Sequence, residues 1–306
     1  MDRDYLSVDD LSADELASLL DLSAKVKAQP GDYAGRLGGR SVALIFEKPS
    51  TRTRVSFEVA VTSAGGHPVP LSSAELQLGR GETIEDTGRV LSRYVHAVVL
   101  RTFEQERLEV LAGAASVPVV NALSDFEHPC QALADLLTVR EAKGELAGRT
   151  LVYLGDGNNV THSLLLGGAK LGMHVRAATP PGFEPIPQVV QRATEIAAET
   201  GGSIGVFHDP IEACRGADVL YTDVWASMGQ EDETDERALV FPGYALDASK
   251  VAAAKDDVTV MHCLPAHRGQ EITDEVIDGP HSVVWDQAEN RMHTQKALLL
   301  WLLDVA

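Results

Sequence analysis

The 306-residue chain carries a formal net charge of −19, with 44% apolar and 23% charged residues. This composition suits a globular protein of about two domains, and so acidic a field argues against nucleic acid or an anionic membrane as partner. Three widely spaced cysteines, Cys130, Cys214 and Cys263, without a CxxC pair, argue against a disulfide framework and a structural zinc site.

In chain order, Ser12 with Glu15 three residues on reads as a capping box opening an amphipathic helix. The acidic segment before it lacks the apolar core of a signal peptide. No apolar run reaches the ~18 residues of a membrane span, so a cytoplasmic protein is expected. "SVALIF" (41–46) reads as a buried strand, and "TRTRVSFEVAVTSAG" as a helix that stops at Gly65 and Gly66. "ETIEDTGRVLSRY" is helical, and "HAVVLRT" (96–102) and "VPVVNA" (117–122) are strands. "HPCQALADLLTVREAKG" is a helix with Pro129 in its first turn. The alternation then restarts with strands at "RTLVYLGD", "HVRAATP", "SIGVFHD", "DVLYTDVW" and "VTVMHCLP". The final helix, "TQKALLLWLLDVA", is too apolar to stay exposed.

Strand and helix alternating twice over predict an α/β protein of two α/β/α domains, each with a mostly parallel central sheet. The boundary is expected near the polar "EAKGELAGR" (141–149). Open parallel sheets bind ligands beyond the carboxyl ends of their strands. "EKPSTRTR", the Arg101–Thr102 pair, "HPCQ", "GDGNN", "DVWASMG" and "HCLPAHR" all follow predicted strands. A single active site in an interdomain cleft would collect them.

"PSTRTR" offers hydroxyls, guanidinium groups and a helix N-terminus, the many-donor geometry that suits phosphate. It also fits a capped helix with two solvated arginines, and Arg54 sits where it can pair with Glu58. His128 and Gln131, three apart, share a helix face and can polarise a carbonyl oxygen, or His128 can simply pack or cap. Arg101 is costly at a strand end unless paired. "GDGNNV" lacks GxGxxG, which rejects a dinucleotide. Asp223 can hold an ammonium group or cap a turn. Cys263 is a thiolate candidate near cations or a buried small residue. No HExxH or comparable zinc spacing occurs.

Together these segments resemble the aspartate/ornithine carbamoyltransferase family across almost the whole chain. "FEKPSTRTRVSFE" and "HPCQALADLLT" match its carbamoyl-phosphate motifs, and "DVWASMG" with "MHCLPAHRGQEI" matches the members that take ornithine. An aspartate acceptor would need cations for its second carboxylate, where this chain offers Asp223. The resemblance implies a carbamoyl-phosphate domain of residues 1–142 plus 288–306 and an ornithine domain of 143–287. It implies Ser50, Thr51, Arg52 and Thr53 on the phosphate, and Arg101, His128 and Gln131 around the carbamoyl group. Gln77 is expected from a neighbouring subunit of a homotrimer or a multiple of trimers. Asn159, Asp223, Ser227 and Met228 are expected to hold ornithine, while Cys263, Leu264 (through its carbonyl) and Arg291 complete the site. No metal or organic cofactor is implied.

Overall fold

The computed structural model describes residues 3–72, 81–226 and 234–306, which form two compact units, Met1–Ala134 with Glu289–Ala306 and Asp135–Ala288. The first unit holds β1 (Ser41–Phe46), β2 (His67–Ser72), β3 (Ala97–Arg101) and β4 (Val119–Leu123), all parallel in the order β2-β1-β3-β4. The second holds β5 (Thr150–Leu154), β6 (His174–Ala178), β7 (Ser203–Phe207), β8 (Val219–Thr222) and β9 (Thr259–His262), all parallel in the order β7-β6-β5-β8-β9. Two parallel-sheet α/β units are the expected architecture.

Every strand of β3, β5 and β8 is buried along its whole length, as the apolar runs dictate for sheets covered on both faces. In the first unit Ala43, Ile45, Val98 and Leu100 pack with Leu108 and Leu111 of helix Gln105–Ala114. In the second, Val152, Leu154, Leu220 and Val260 pack with Leu246, Ile272 and Val284. Among the described residues no helix is long and apolar enough to cross a membrane.

Three elements depart from the sequence expectation. β2, "HPVPLS", carries two prolines, which suits the sheet edge it occupies but hides it from strand propensity. Helix Gln105–Ala114 was not expected. The last helix begins at Val284, ten residues before the apolar run at Thr294, and continues to Leu302.

Strand order decides where ligands bind. From β1 the chain goes to β2 on one side and then to β3 on the other, so order reverses between β1 and β3. It reverses likewise between β5 and β8. Loops diverge at such switch points and leave a crevice at the strands' carboxyl ends. The loops after β1 and β3 carry "EKPSTR" and Arg101, and those after β5 and β8 carry "GDGNN" and Asp223.

Candidate functional site

The first cluster is built on β1, β3 and β4. Helix Thr51–Ser63 follows β1, and the Ser50 hydroxyl caps it by accepting the Thr53 N–H at 3.3 Å. The helix thus starts inside the loop, which leaves Thr51 and Arg52 exposed in its first turn. Arg54 pairs with Glu58 at 2.7 Å, so the two arginines differ in commitment. Register between β3 and β4 shifts between Leu100 and Arg101, and such an irregularity re-aims the side chain that follows it. Arg101 is 6% exposed. The Glu47 N–H donates to the Arg101 carbonyl at 2.9 Å and ties the two switch-point loops together.

Helix Pro129–Lys143 opens directly after His128. Arg291 is the joint of this cluster. Its Nη1 donates to Gln131 Oε1 at 2.5 Å and its Nη2 to Thr53 Oγ1 at 3.1 Å. Gln131, Thr53, His128 and Arg291 are all buried. Burial holds the His128 imidazole well below its usual range, and the Arg291 and Arg101 guanidinium groups push it the same way. His128 is therefore neutral near pH 7.

Below the unfolded value of about 6.5 the unfolded chain takes up a proton that native His128 refuses, so this group lowers stability as pH falls through 6.5. Tm measured against pH should fall less steeply below about pH 6.5 in His128→Asn than in wild type. Parallel curves would contradict the buried neutral state.

Sequence reading passed over Lys48. It is 3% exposed, pairs with Asp125 and lies 4.4 Å from the Phe103 ring centroid. It thereby ties the loops after β1, β3 and β4 to one another.

The second cluster is built on β5, β8 and β9. Gly157 must be glycine, because a Cβ there would lie 2.2 Å from the Pro185 nitrogen. Asn158 caps helix Asn159–Lys170 through Oδ1, which accepts the Val160 and Thr161 N–H groups at 3.0 and 3.2 Å. Its Nδ2 donates to Asp223 Oδ2 at 3.0 Å. The Cys263 thiol donates to Asp223 Oδ1 at 2.8 Å. Asp223 is thus held on both oxygens at the switch point, 6% exposed. Burial pushes the half-buried Cys263 thiol well above its usual value, and the Asp223 carboxylate pushes it further. That corrects the thiolate alternative, since Cys263 is a neutral donor. Cys130 and Cys214 are buried and pushed up to about 12.

Leu264 has φ +57, a left-handed conformation costing a non-glycine residue ~1 kcal/mol. Its N–H donates to His262 Nδ1 at 2.8 Å, which holds it there. His262 Nε2 faces Glu271 Oε1 at 3.2 Å. Asp223, His262 and Cys263 bring three ligand-type atoms within 4.8 Å of one another. Both His262 nitrogens are engaged within the fold, so the trio does not suit a metal.

Arg237 was also missed by the sequence reading. Its Nη1 donates to Asp156 Oδ2 at 2.8 Å and to the Trp225 carbonyl at 2.6 Å, and its guanidinium lies over Phe183 and Phe241. It ties the "GDGNN" loop to the segment after β8. Asn159 is buried in the first turn of its helix. Gln77, Ser227 and Met228 lie outside the described residues.

The sequence matches the carbamoyl-P binding domain of aspartate/ornithine carbamoyltransferases over residues 3–141 and their Asp/Orn binding domain over 147–302. The chain belongs to the aspartate/ornithine carbamoyltransferase family. Within this family it is 64% identical over 305 residues to the ornithine carbamoyltransferase of Parafrankia sp. (strain EAN1pec), covering 99% of this chain and 96% of that one. It is 54% identical over 299 residues to an anabolic ornithine carbamoyltransferase of Pyrococcus furiosus, covering 97% and 95%. A solved ornithine carbamoyltransferase from Pyrococcus furiosus superposes with a TM-score of 0.94 at 54% identity, covering 97% of this chain and 96% of that one. In the carbamoyltransferase family's terms, most of the first cluster falls in the carbamoyl-P match and the second falls in the Asp/Orn match. Arg291 of the first cluster falls within the residue range of the Asp/Orn match, although it packs in the first compact unit.

Proposed function

We propose that this chain transfers the carbamoyl group of carbamoyl phosphate to the δ-amine of L-ornithine, giving L-citrulline and phosphate. The observation that carries the acceptor assignment is Asp223, a buried carboxylate held by Asn158 and Cys263 at the β5/β8 switch point. A fixed carboxylate suits an ammonium group and disfavours the second carboxylate of aspartate. The relatives named as ornithine carbamoyltransferases support the same acceptor.

In this reading Ser50, Thr51, Arg52 and Thr53 hold the phosphate, with Arg291 anchoring Thr53. Arg101 and neutral His128 stabilise charge developing on the carbamoyl oxygen, and Gln131, fixed by Arg291, orients the carbamoyl group. Asn159, Asp223, Ser227 and Met228 hold ornithine, while Cys263 and the Leu264 carbonyl complete the site for both substrates. An amine near pKa 10 must lose a proton before it attacks. Asp223 and Cys263 form the polar pair beside which that loss would occur. Attack of the δ nitrogen on the carbamoyl carbon then expels phosphate, and holding two substrates in line supplies much of the rate.

The functional domains are assigned as 1–142 plus 288–306 for carbamoyl phosphate and 143–287 for ornithine. We infer a homotrimer or multiple of trimers in which Gln77 serves a neighbouring site. Val55 and Val59, 52% and 42% exposed one turn apart on helix Thr51–Ser63, support an apolar contact. A cytoplasmic place and the arginine-biosynthetic direction complete the reading. The test is citrulline formation from carbamoyl phosphate and L-ornithine. Folded protein that makes none, or that carbamoylates aspartate instead, would overturn it.

A further inference from the structure

In the proposed reaction Arg101 faces the carbamoyl oxygen, so its aim matters. The β3–β4 register shifts at this residue, and the ladder alone does not set its position. Neighbouring loops supply the constraint. On the β4 side the Thr102 N–H donates to the Leu123 carbonyl at 3.0 Å, and the Asp125 N–H donates to the Phe103 carbonyl at 2.7 Å. On the β1 side Glu47 makes two bonds. Its N–H donates to the Arg101 carbonyl at 2.9 Å, and its Oε2 accepts the hydroxyl hydrogen of Thr102. Thr102 is fully buried, and the Glu47 side chain is 9% exposed. Glu47 thus grips Arg101 by its backbone and the next residue by its side chain.

The Glu47 carboxylate is itself clamped. Arg107 Nε donates to Oε2 at 3.0 Å and Arg107 Nη2 donates to Oε1 at 2.5 Å, a two-point fork. Arg107 stands in the first turn of helix Gln105–Ala114, where the helix dipole disfavours a cation. Its own helix gains nothing from that charge, and the guanidinium serves Glu47. The fork sets the plane of the carboxylate and keeps Oε2 on the Thr102 hydroxyl. A lysine would supply the charge without setting that plane.

We propose that Arg107 and Thr102 are positioning residues that act through the Glu47 carboxylate to hold Arg101 in place for the carbamoyl oxygen. This rests on the reading that Arg101 stabilises charge developing on that oxygen.

The test is steady-state kinetics with carbamoyl phosphate and L-ornithine, with thermal melts on the same full-length variants. Arg101→Gln probes the underlying reading. Removing a donor to a developing oxyanion should lower kcat about 100-fold. A kcat within about threefold of wild type would mean that Arg101 does not serve the carbamoyl oxygen, whatever the other variants do. Two substitutions at Thr102 probe the proposal. Valine keeps the shape and loses the hydroxyl, whereas serine keeps the hydroxyl and loses a buried methyl. Thr102→Val should lower kcat about fivefold with both KM values within about twofold, the pattern of an interaction lost only in the transition state. Thr102→Ser should keep kcat within about twofold of wild type, although its methyl-sized cavity lowers Tm. A purely structural role would make kcat follow Tm instead of the hydroxyl. Should Thr102→Val fail to fold, Arg107→Gln decides. The Arg107 side chain is 31% exposed, so its replacement leaves the core intact, and loss of the fork should again lower kcat about fivefold with both KM values held. A kcat within about twofold of wild type in the deciding variant, or an equal kcat loss in Thr102→Ser and Thr102→Val, overturns the proposal while leaving the Arg101→Gln result in place.

Discussion

Arg52→Ala should weaken carbamoyl-phosphate binding by about 100-fold or more, while the protein stays folded. The magnitude follows from losing one or two charge-assisted hydrogen bonds of ~1.5–3 kcal/mol each to a phosphate. The intact fold follows from geometry. Ser50, not Arg52, caps the helix, and Thr53 is tied to Arg291. Arg52 is exposed in the first turn, so its truncation opens no core cavity. Arg54→Ala is the internal control. Its guanidinium is engaged with Glu58 on the helix surface, an exposed i,i+4 pair worth ~0.3–0.5 kcal/mol. That variant should bind carbamoyl phosphate within about threefold of wild type. Isothermal titration with carbamoyl phosphate measures both, and thermal melts check the fold. If Arg52→Ala loses less than about threefold, under 1 kcal/mol, the phosphate does not sit on this turn. Equal losses in the two variants would mean that both arginines act through the general field of the loop.

The contrast between Arg52 and Arg54 shows what the sequence made legible. Strand-end placement follows from apolar runs alternating with helices, and it puts "PSTRTR", Arg101, "HPCQ", "GDGNN" and Asp223 after strands, where the structure has them. Capping chemistry was equally local. Ser12 with Glu15 forms the expected box, and Arg54 takes the pairing with Glu58 that its spacing allowed beside a role in orienting the loop. What stayed hidden was the support beneath the site, because polar residues satisfied inside a core look like surface residues in a periodicity argument. Helix Val284–Leu302 is the clearest case. Gln287, Asn290, Arg291, Thr294 and Gln295 are all buried, so its first half reads as polar and the helix seemed to start at Thr294. Lys48 and Arg237 were missed for the same reason. Each is a cation buried against an aromatic ring and a carboxylate distant in sequence. Arg291 was expected only through resemblance, and its bonds to Thr53 and Gln131 join it to the first cluster.

Asp223→Asn should raise KM for ornithine by about 100-fold while leaving KM for carbamoyl phosphate within about threefold. An ammonium–carboxylate contact at a buried position is worth ~3 kcal/mol, and the phosphate-holding turn and most of the carbamoyl-phosphate residues lie in the other cluster. The substitution preserves volume but changes the hydrogen bonds. Asp223 accepts from Asn158 Nδ2 on one oxygen and from the Cys263 thiol on the other. An asparagine satisfies Asn158 only by turning its own oxygen there, which aims its NH2 at the Cys263 sulfur. The thiol then loses a carboxylate that disfavoured the thiolate and gains a donor that favours it. Cys263 alkylation should therefore become faster at a given pH in Asp223→Asn. If Asp223→Asn leaves the ornithine KM within about threefold of wild type, the ammonium group is held elsewhere. Asn159 and the segment after β8 would then be the next residues to test.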